Sequence, residues 1–128
     1  MAGRVVHFEI PFEDKQRAKA FYTAIFGWQA EEMPGFEDYI GVATGPMGEQ
    51  GPTEPGYIGG GMTPRGGTNT ATVVVVDCDD IEATLAEIAA NGGEALSEKI
   101  PVGDMGFSAY FRDSEGNVVG LWENAAPV

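Results

Sequence analysis

The side chains that carry most enzyme chemistry are scarce here. The sequence has one histidine, His7, and one cysteine, Cys78. A lone cysteine excludes an intrachain disulfide and a multi-cysteine zinc site. A lone histidine excludes a metal site built on two imidazoles of one chain. Cations are also few: 7 Lys and Arg stand against 20 Asp and Glu, a formal net charge of -13. Such a surface repels phosphate backbones, so no nucleic-acid partner is expected. It suits a cationic small molecule, although acids scattered singly along a chain also serve simply to keep it soluble. The longest purely apolar run is Val73–Val76, far short of the roughly 20 residues of a membrane span, and no membrane partner is expected. No extended apolar segment follows Arg4, so no secretory leader is expected, and a cytoplasmic location is the expectation. Gly-x-Ser-x-Gly elbows, phosphate loops and dinucleotide fingerprints are missing as well.

What is present is ordinary globular material. Apolar residues make up 43% of the 128 positions, enough for one domain with a proper core. Residues 1–128 are therefore read as a single domain, and the order of elements repeats within it. Arg4–Ile10 alternates as a strand, with Val5, His7 and Glu9 on one face. Asp14 is placed to cap a helix running to about Phe26, with Ala18, Phe21, Tyr22 and Ile25 as its apolar stripe and Gly27 at its end. Trp28–Met33 and Asp38–Ala43 read as a strand pair turning through Pro34-Gly35. Gly45–Gly56 reads as a loop, and Tyr57–Met62 as a fourth strand weakened by three glycines. The run Gly59–Gly61 has no helix after it to form a phosphate cradle, and is read as letting another backbone approach closely.

After a linker, Thr63–Asn69, the plan recurs. Thr70–Asp77 is a β-branched strand. Asp79 is expected to cap a helix, with Glu82 three residues on as in a capping box and Ile81, Leu85, Ile88 and Ala89 as its buried stripe. Asn91-Gly92-Gly93 ends it. Strands near Glu94–Ser97, Gly106–Arg112 and Asn117–Glu123 complete the second half. The fold class expected is α+β: two βαβββ modules, one of about residues 1–65 and one of about 68–126, forming a curved sheet with a cleft.

Three segments resemble one known family. Asp14 with Ala-Phe-Tyr at 20–22 and Phe-Gly-Trp at 26–28 resembles the first-helix signature of vicinal-oxygen-chelate proteins, the glyoxalase, bleomycin-resistance and extradiol dioxygenase group. Val76–Ile81 with the helix that follows resembles the opening of their second module, and Asp113-Ser-Glu-Gly-Asn117 their last turn. The match spans nearly the whole chain in the expected order. The resemblance implies a divalent ion held by His and Glu side chains, the first of them seven residues before the capping Asp. Counting back from Asp14 reaches His7. The other implied positions hold Val73, Gly120 and the glycines 59–61, so no metal and no cofactor is expected.

The candidate site residues follow from the sheet faces. His7 and Glu9 share a face and need polar partners. A four-residue turn in the last hairpin pairs Ala109 with Gly120 and Phe107 with Trp122. That register sets Phe107, Phe111 and Trp122 on the inner face, a box suited to an aromatic ligand. A slip of one residue turns Tyr110 inward instead. Cys78 lies between two aspartates, a setting that disfavours a thiolate. Two main readings of function stay open, beside a blander one of a subunit or domain-like partner whose cleft is vestigial. One is a metal-free small-molecule-binding protein, a homodimer sequestering a cationic or aromatic ligand through His7, Glu9, Phe107, Phe111 and Trp122. The other is a lyase, isomerase or dioxygenase of glyoxalase type using His7 and a carboxylate.

Overall fold

A computed structural model describes residues 3–36 and 38–125; the expected end of the second module, near residue 126, lies outside them. The chain divides into two compact units, His7–Thr72 and Met1–Val6 with Val73–Val128.

In chain order the first elements are β1 (Val5–Phe12), α1 (Lys15–Phe26), β2 (Gln29–Glu32), β3 (Ile40–Ala43), β4 (Met47–Gly48), β5 (Gly51–Pro52) and β6 (Gly59–Pro64). Asp14 starts α1 as its side chain accepts from the Arg17 amide at 3.0 Å, and Gly27, at φ 70, ends it. Strand order in this unit is β2-β3-β6-β1, with β1 parallel to β6 and the other pairs antiparallel. Phe12, Ala30, Ile40, Val42 and Met62 form the core, and Phe8, Ile10, Ala18, Tyr22 and Trp28 pack on it. The helix stripe is narrower than its spacing suggests: Phe21 and Ile25 are 57% and 60% exposed, so Ala18 and Tyr22 face the core and these two do not. The Gly45–Gly56 loop contains the small β4–β5 hairpin.

The later elements are β7 (Val73–Asp77), α2 (Ile81–Ala90), β8 (Glu94–Ala95), β9 (Ile100–Val102), β10 (Gly106–Arg112) and β11 (Val118–Asn124). Order here is β7-β11-β10-β8, with β9 also on β10, and β7 parallel to β11. The plan of the first unit is repeated: the opening strand runs parallel to the last, which on its other side is antiparallel to β3 in the first unit and to β10 in the second. β8 and β9 are two pieces of one edge strand. Between the pairs Phe111↔Ala95 and Ser108↔Ile100, residues 96–99 face only 109–110. The excess is taken up as a bulge held by Ser97, whose Oγ accepts from the Tyr110 amide at 2.9 Å.

Two expectations need correction. The cap of α2 is Asp80, which accepts from the Ala83 amide at 3.0 Å, and not Asp79. The Ile81 amide at the start of the helix is satisfied from elsewhere, by the Glu123 carboxylate at 2.8 Å. The last hairpin also has a longer loop than the four residues expected. Asp113 accepts from the Glu115 and Asn117 amides, the Asp113 amide donates to the Asn117 carbonyl, and Gly116 turns the chain at φ 86. The strands close only at Arg112↔Val118, and Tyr110 pairs with Gly120 and Ser108 with Trp122. One extra loop residue moves every side chain of one strand relative to the other.

Replacing Asp80 by Ala should cost about 1 kcal/mol of stability, read as a lowered Tm, whereas Asp79→Ala should stay within about 0.5 kcal/mol. The reverse order would return the cap to Asp79.

Candidate functional site

In the first unit β1 sends Phe8, Ile10 and Phe12 toward the α1 core, so His7 and Glu9 stand on the opposite face. The register carries that face across β6, where His7 pairs with Gly59 and Glu9 with Gly61, and across β3, where Gly61 pairs with Gly41. Three glycines thus share one sheet surface, and each is covered by a side chain. A Cβ at Gly41 would meet Met33 Sδ at 2.9 Å, one at Gly59 would meet Met47 Cε at 2.9 Å, and one at Gly61 would overlap the Tyr39 hydroxyl. On the other face Phe8 covers Gly60. The glycine run therefore admits side chains, where a second backbone was expected.

Tyr39 enters from the turn before β3, where Asp38 holds a left-handed φ of 61, a conformation Asp tolerates better than most residues. Its hydroxyl lies 2.8 Å from His7 Nε2; which atom donates follows from the imidazole tautomer. Glu9 is 9% exposed and accepts from the Asn69 side-chain amide at 2.8 Å. Asn69 Oδ1 in turn accepts from the Thr68 hydroxyl at 2.9 Å. Burial holds His7 below its ordinary value of 6.5, with the Glu9 charge pulling the other way. Burial, and then the same charge, pushes the Tyr39 phenol well above its usual range. The pair is therefore a neutral imidazole and a neutral phenol beside a buried carboxylate, able to exchange hydrogen bonds or a proton.

These residues do not fit the divalent ion that the resemblance implies. His7 Nε2 faces a phenol, Glu9 is bonded to an amide, and the carboxylate position of β6 is glycine. Among the described residues no three His, Cys, Asp or Glu gather as a metal set.

In the second unit the corrected register separates the expected aromatic box. Trp122 shares a face with Gly120, Tyr110 and Ser108. It donates through Nε1 to Asn124 Oδ1 at 2.8 Å, and its ring lies where a Cβ on Gly106 would stand. Phe107 and Phe111 are on the other face, packed on the α2-side cluster of Ile81, Ala109 and Leu121. Lys99 Nζ sits 4.3 Å from the Phe107 ring centre and 3.0 Å from Glu123. Phe107 and Phe111 are thus core residues and do not form a box with Trp122. Burial raises the Cys78 thiol, opposed by a hydrogen bond with Thr84 and reinforced by the Glu123 and Asp77 charges, a setting that disfavours a thiolate. Tyr39, Asn69 and Tyr110 are the polar and aromatic residues of these faces that sequence reasoning passed over or left as an alternative. The signal for Tyr39 was the glycine run itself, which demanded something large above it.

Two βαβββ units, each with one capped helix on one sheet face, define an α+β protein of the glyoxalase/bleomycin-resistance fold. Comparison with known proteins agrees. The family described as bleomycin resistance protein-like N-terminal matches residues 4–45. A glyoxylase-like domain-containing protein of Didymella fabae is 30% identical over 121 residues, which is 90% of this chain and 89% of that one. CFP32 of Mycobacterium tuberculosis, a glyoxylase by name, is 30% identical over 115 residues, 86% of this chain but 41% of that one. The chain thus spans about two-fifths of the mycobacterial relative's length. Among solved structures, Streptomyces coelicolor methylmalonyl-CoA epimerase superposes with a TM-score of 0.66 at 17% identity, covering 98% of this chain and 100% of that one. A glyoxalase/bleomycin resistance protein/dioxygenase superfamily member from Vibrio splendidus gives 0.61 at 14%, covering 97% and 99%. The chain belongs to the glyoxalase-like family of the vicinal-oxygen-chelate superfamily.

The single imidazole makes the electrostatics directly readable. By NMR, His7 should titrate below 6.5 in the folded protein. A folded pKa below the unfolded one makes this group's stabilisation complete above the unfolded value. It is then lost as pH falls through 6.5 toward the folded value. Glu9→Gln removes the opposing charge, so it should lower the His7 pKa further; a rise would contradict the arrangement.

Proposed function

We propose that this chain binds a small molecule on the sheet faces turned away from its helices, without a resident metal ion or cofactor. The observation that carries the reading is a pair of 2.8 Å hydrogen bonds, His7 with Tyr39 and Asn69 to Glu9, with His7 and Glu9 on one face of β1. Buried polar groups are costly, and the core on the α1 side already accounts for the packing of this unit. A polar cluster kept on the other face is better explained by a ligand than by folding. The hydrogen-bonded His7–Tyr39 pair and Glu9 are the contacts proposed on the first unit, and Trp122 is proposed separately on the second. A buried carboxylate within a chain of net charge -13 favours a cationic or aromatic ligand over an anionic one. The protein acts as a single domain and is cytoplasmic.

The proposed form is a homodimer. Phe21, Ile25 and Phe26 leave an apolar face on α1 that is 57–60% exposed. α1 also carries Lys15, Arg17 and Lys19 and no acidic residue, in a chain otherwise dominated by acids. A second copy offers that helix both apolar and acidic surface. Wild-type protein should sediment as a dimer, and Phe21→Glu with Ile25→Glu as a folded monomer. A monomeric wild type would refute this.

A second reading, acid–base catalysis of glyoxalase type, is supported by the neutral imidazole and phenol beside Glu9. The methylmalonyl-CoA epimerase likeness supports only the fold at 17% identity.

Titration with thioflavin T, a planar aromatic cation, tests the binding reading by fluorescence. Saturable binding should weaken roughly tenfold in Glu9→Gln, the order expected for losing one charged partner. Equal affinity in wild type and Glu9→Gln would count against the proposed site, and turnover of an added thioester or ketoaldehyde that His7→Gln abolishes would favour the enzyme.

A further inference from the structure

The glycine under Tyr39 recurs in the second unit. Glu9 stands five residues before the cap Asp14, and Val75 five before the cap Asp80, so the two are equivalent. The partner of Glu9 on the last strand of its unit is Gly61, and the partner of Val75 is Gly120. Gly61 and Gly120 therefore hold the same place in the repeat. Tyrosine rings lie over both. A Cβ at Gly61 would overlap the Tyr39 hydroxyl, and one at Gly120 would come within 3.5 Å of Tyr110 Cε1 and 3.0 Å of Val75 Cγ2. The rings arrive from different positions: Tyr110 pairs directly with Gly120, whereas Tyr39 stands two residues before Gly41, the partner of Gly61.

We infer that Tyr39, seated over Gly61, closes His7 Nε2 to metal ions and reagents, and is the group of the pair that the first unit presents to a ligand. His7 is then a positioning residue behind it. The geometry is specific. The hydroxyl occupies the far nitrogen of the only imidazole at 2.8 Å, and it can do so only because position 61 has no side chain. Loss of a side chain at 61 and the seating of Tyr39 are one structural change. A phenol oxygen can make one donor and two acceptor interactions, so its bond to His7 leaves capacity for another partner. The raised phenol pKa agrees with a hydroxyl that stays protonated and so coordinates metal poorly. The shielding half of the inference stands apart from the proposed function; the presenting half rests on it.

Diethyl pyrocarbonate acylates an unprotonated imidazole nitrogen, and here modification mapped by mass reports on His7 alone. Wild-type protein should react slowly compared with the urea-unfolded chain. Tyr39→Phe and Gly61→Ala should each speed the reaction on the order of tenfold, the equivalent of one lost hydrogen bond. The double variant should be no faster than the faster single one, because Gly61 acts through Tyr39. Circular dichroism checks that each variant is folded; if Gly61→Ala is not, Tyr39→Phe decides alone. Excess nickel should leave the wild-type rate unchanged and slow that of Tyr39→Phe. A wild-type rate equal to that of the unfolded chain, or no acceleration in folded Tyr39→Phe, overturns the inference. A failure of thioflavin T to bind would instead sink the ligand reading and leave the shielding of His7 standing.

Discussion

The polar face of the first unit depends on the missing side chain at Gly61. With a hydrogen there, Tyr39 can cross the sheet and meet His7. Any Cβ would push the phenol away, and the imidazole, already disfavoured as a cation by burial, would need another partner. The Glu9 carboxylate acts on both rings at once, raising His7 and Tyr39 alike. Burial keeps both rings neutral, while one absent side chain and one phenol fix how they meet. Asn69 and Thr68 hold the acid in place from the far end of the same unit.

That arrangement does not fit the divalent ion that the family resemblance implies. Catalytic metal sites need about three protein ligands and an open coordination position. Here the glycine that stands in for a carboxylate is roofed by an aromatic ring in each unit. Restoring one ligand by mutation would therefore not be enough, since the ring must leave first. Function is carried by what decorates a fold rather than by the fold itself, and on this face of the first unit a phenol and an imidazole are hydrogen-bonded.

Much of this was legible in the sequence, and the remainder was not for identifiable reasons. Asp14 and Gly27 announce α1 because a cap and a left-handed terminator act through nearest-neighbour geometry. The shared face of His7 and Glu9 follows from strand alternation, and the internal repeat from the recurring order of elements. The cap of α2 was ambiguous because two aspartates adjoin, and only the backbone decides which one turns toward the helix. Phe107 and Phe111 were misplaced because side chains of Asp113 and Asn117 build a loop one residue longer than assumed, and a sheet register has no tolerance for that. The Tyr39–His7 contact spans 32 positions. Periodicity cannot report such a pairing, although the glycines at 59–61 mark where a large side chain must lie.

The most direct test of the central claim is the long-range proton–nitrogen spectrum of His7 with cobalt(II) added. His7 should be a neutral imidazole whose Nε2 carries the shift of a hydrogen-bonded nitrogen, with resonances unmoved and unbroadened by stoichiometric cobalt. Stoichiometric paramagnetic shifts at His7 would contradict it, and would show that the phenol yields its place to an ion.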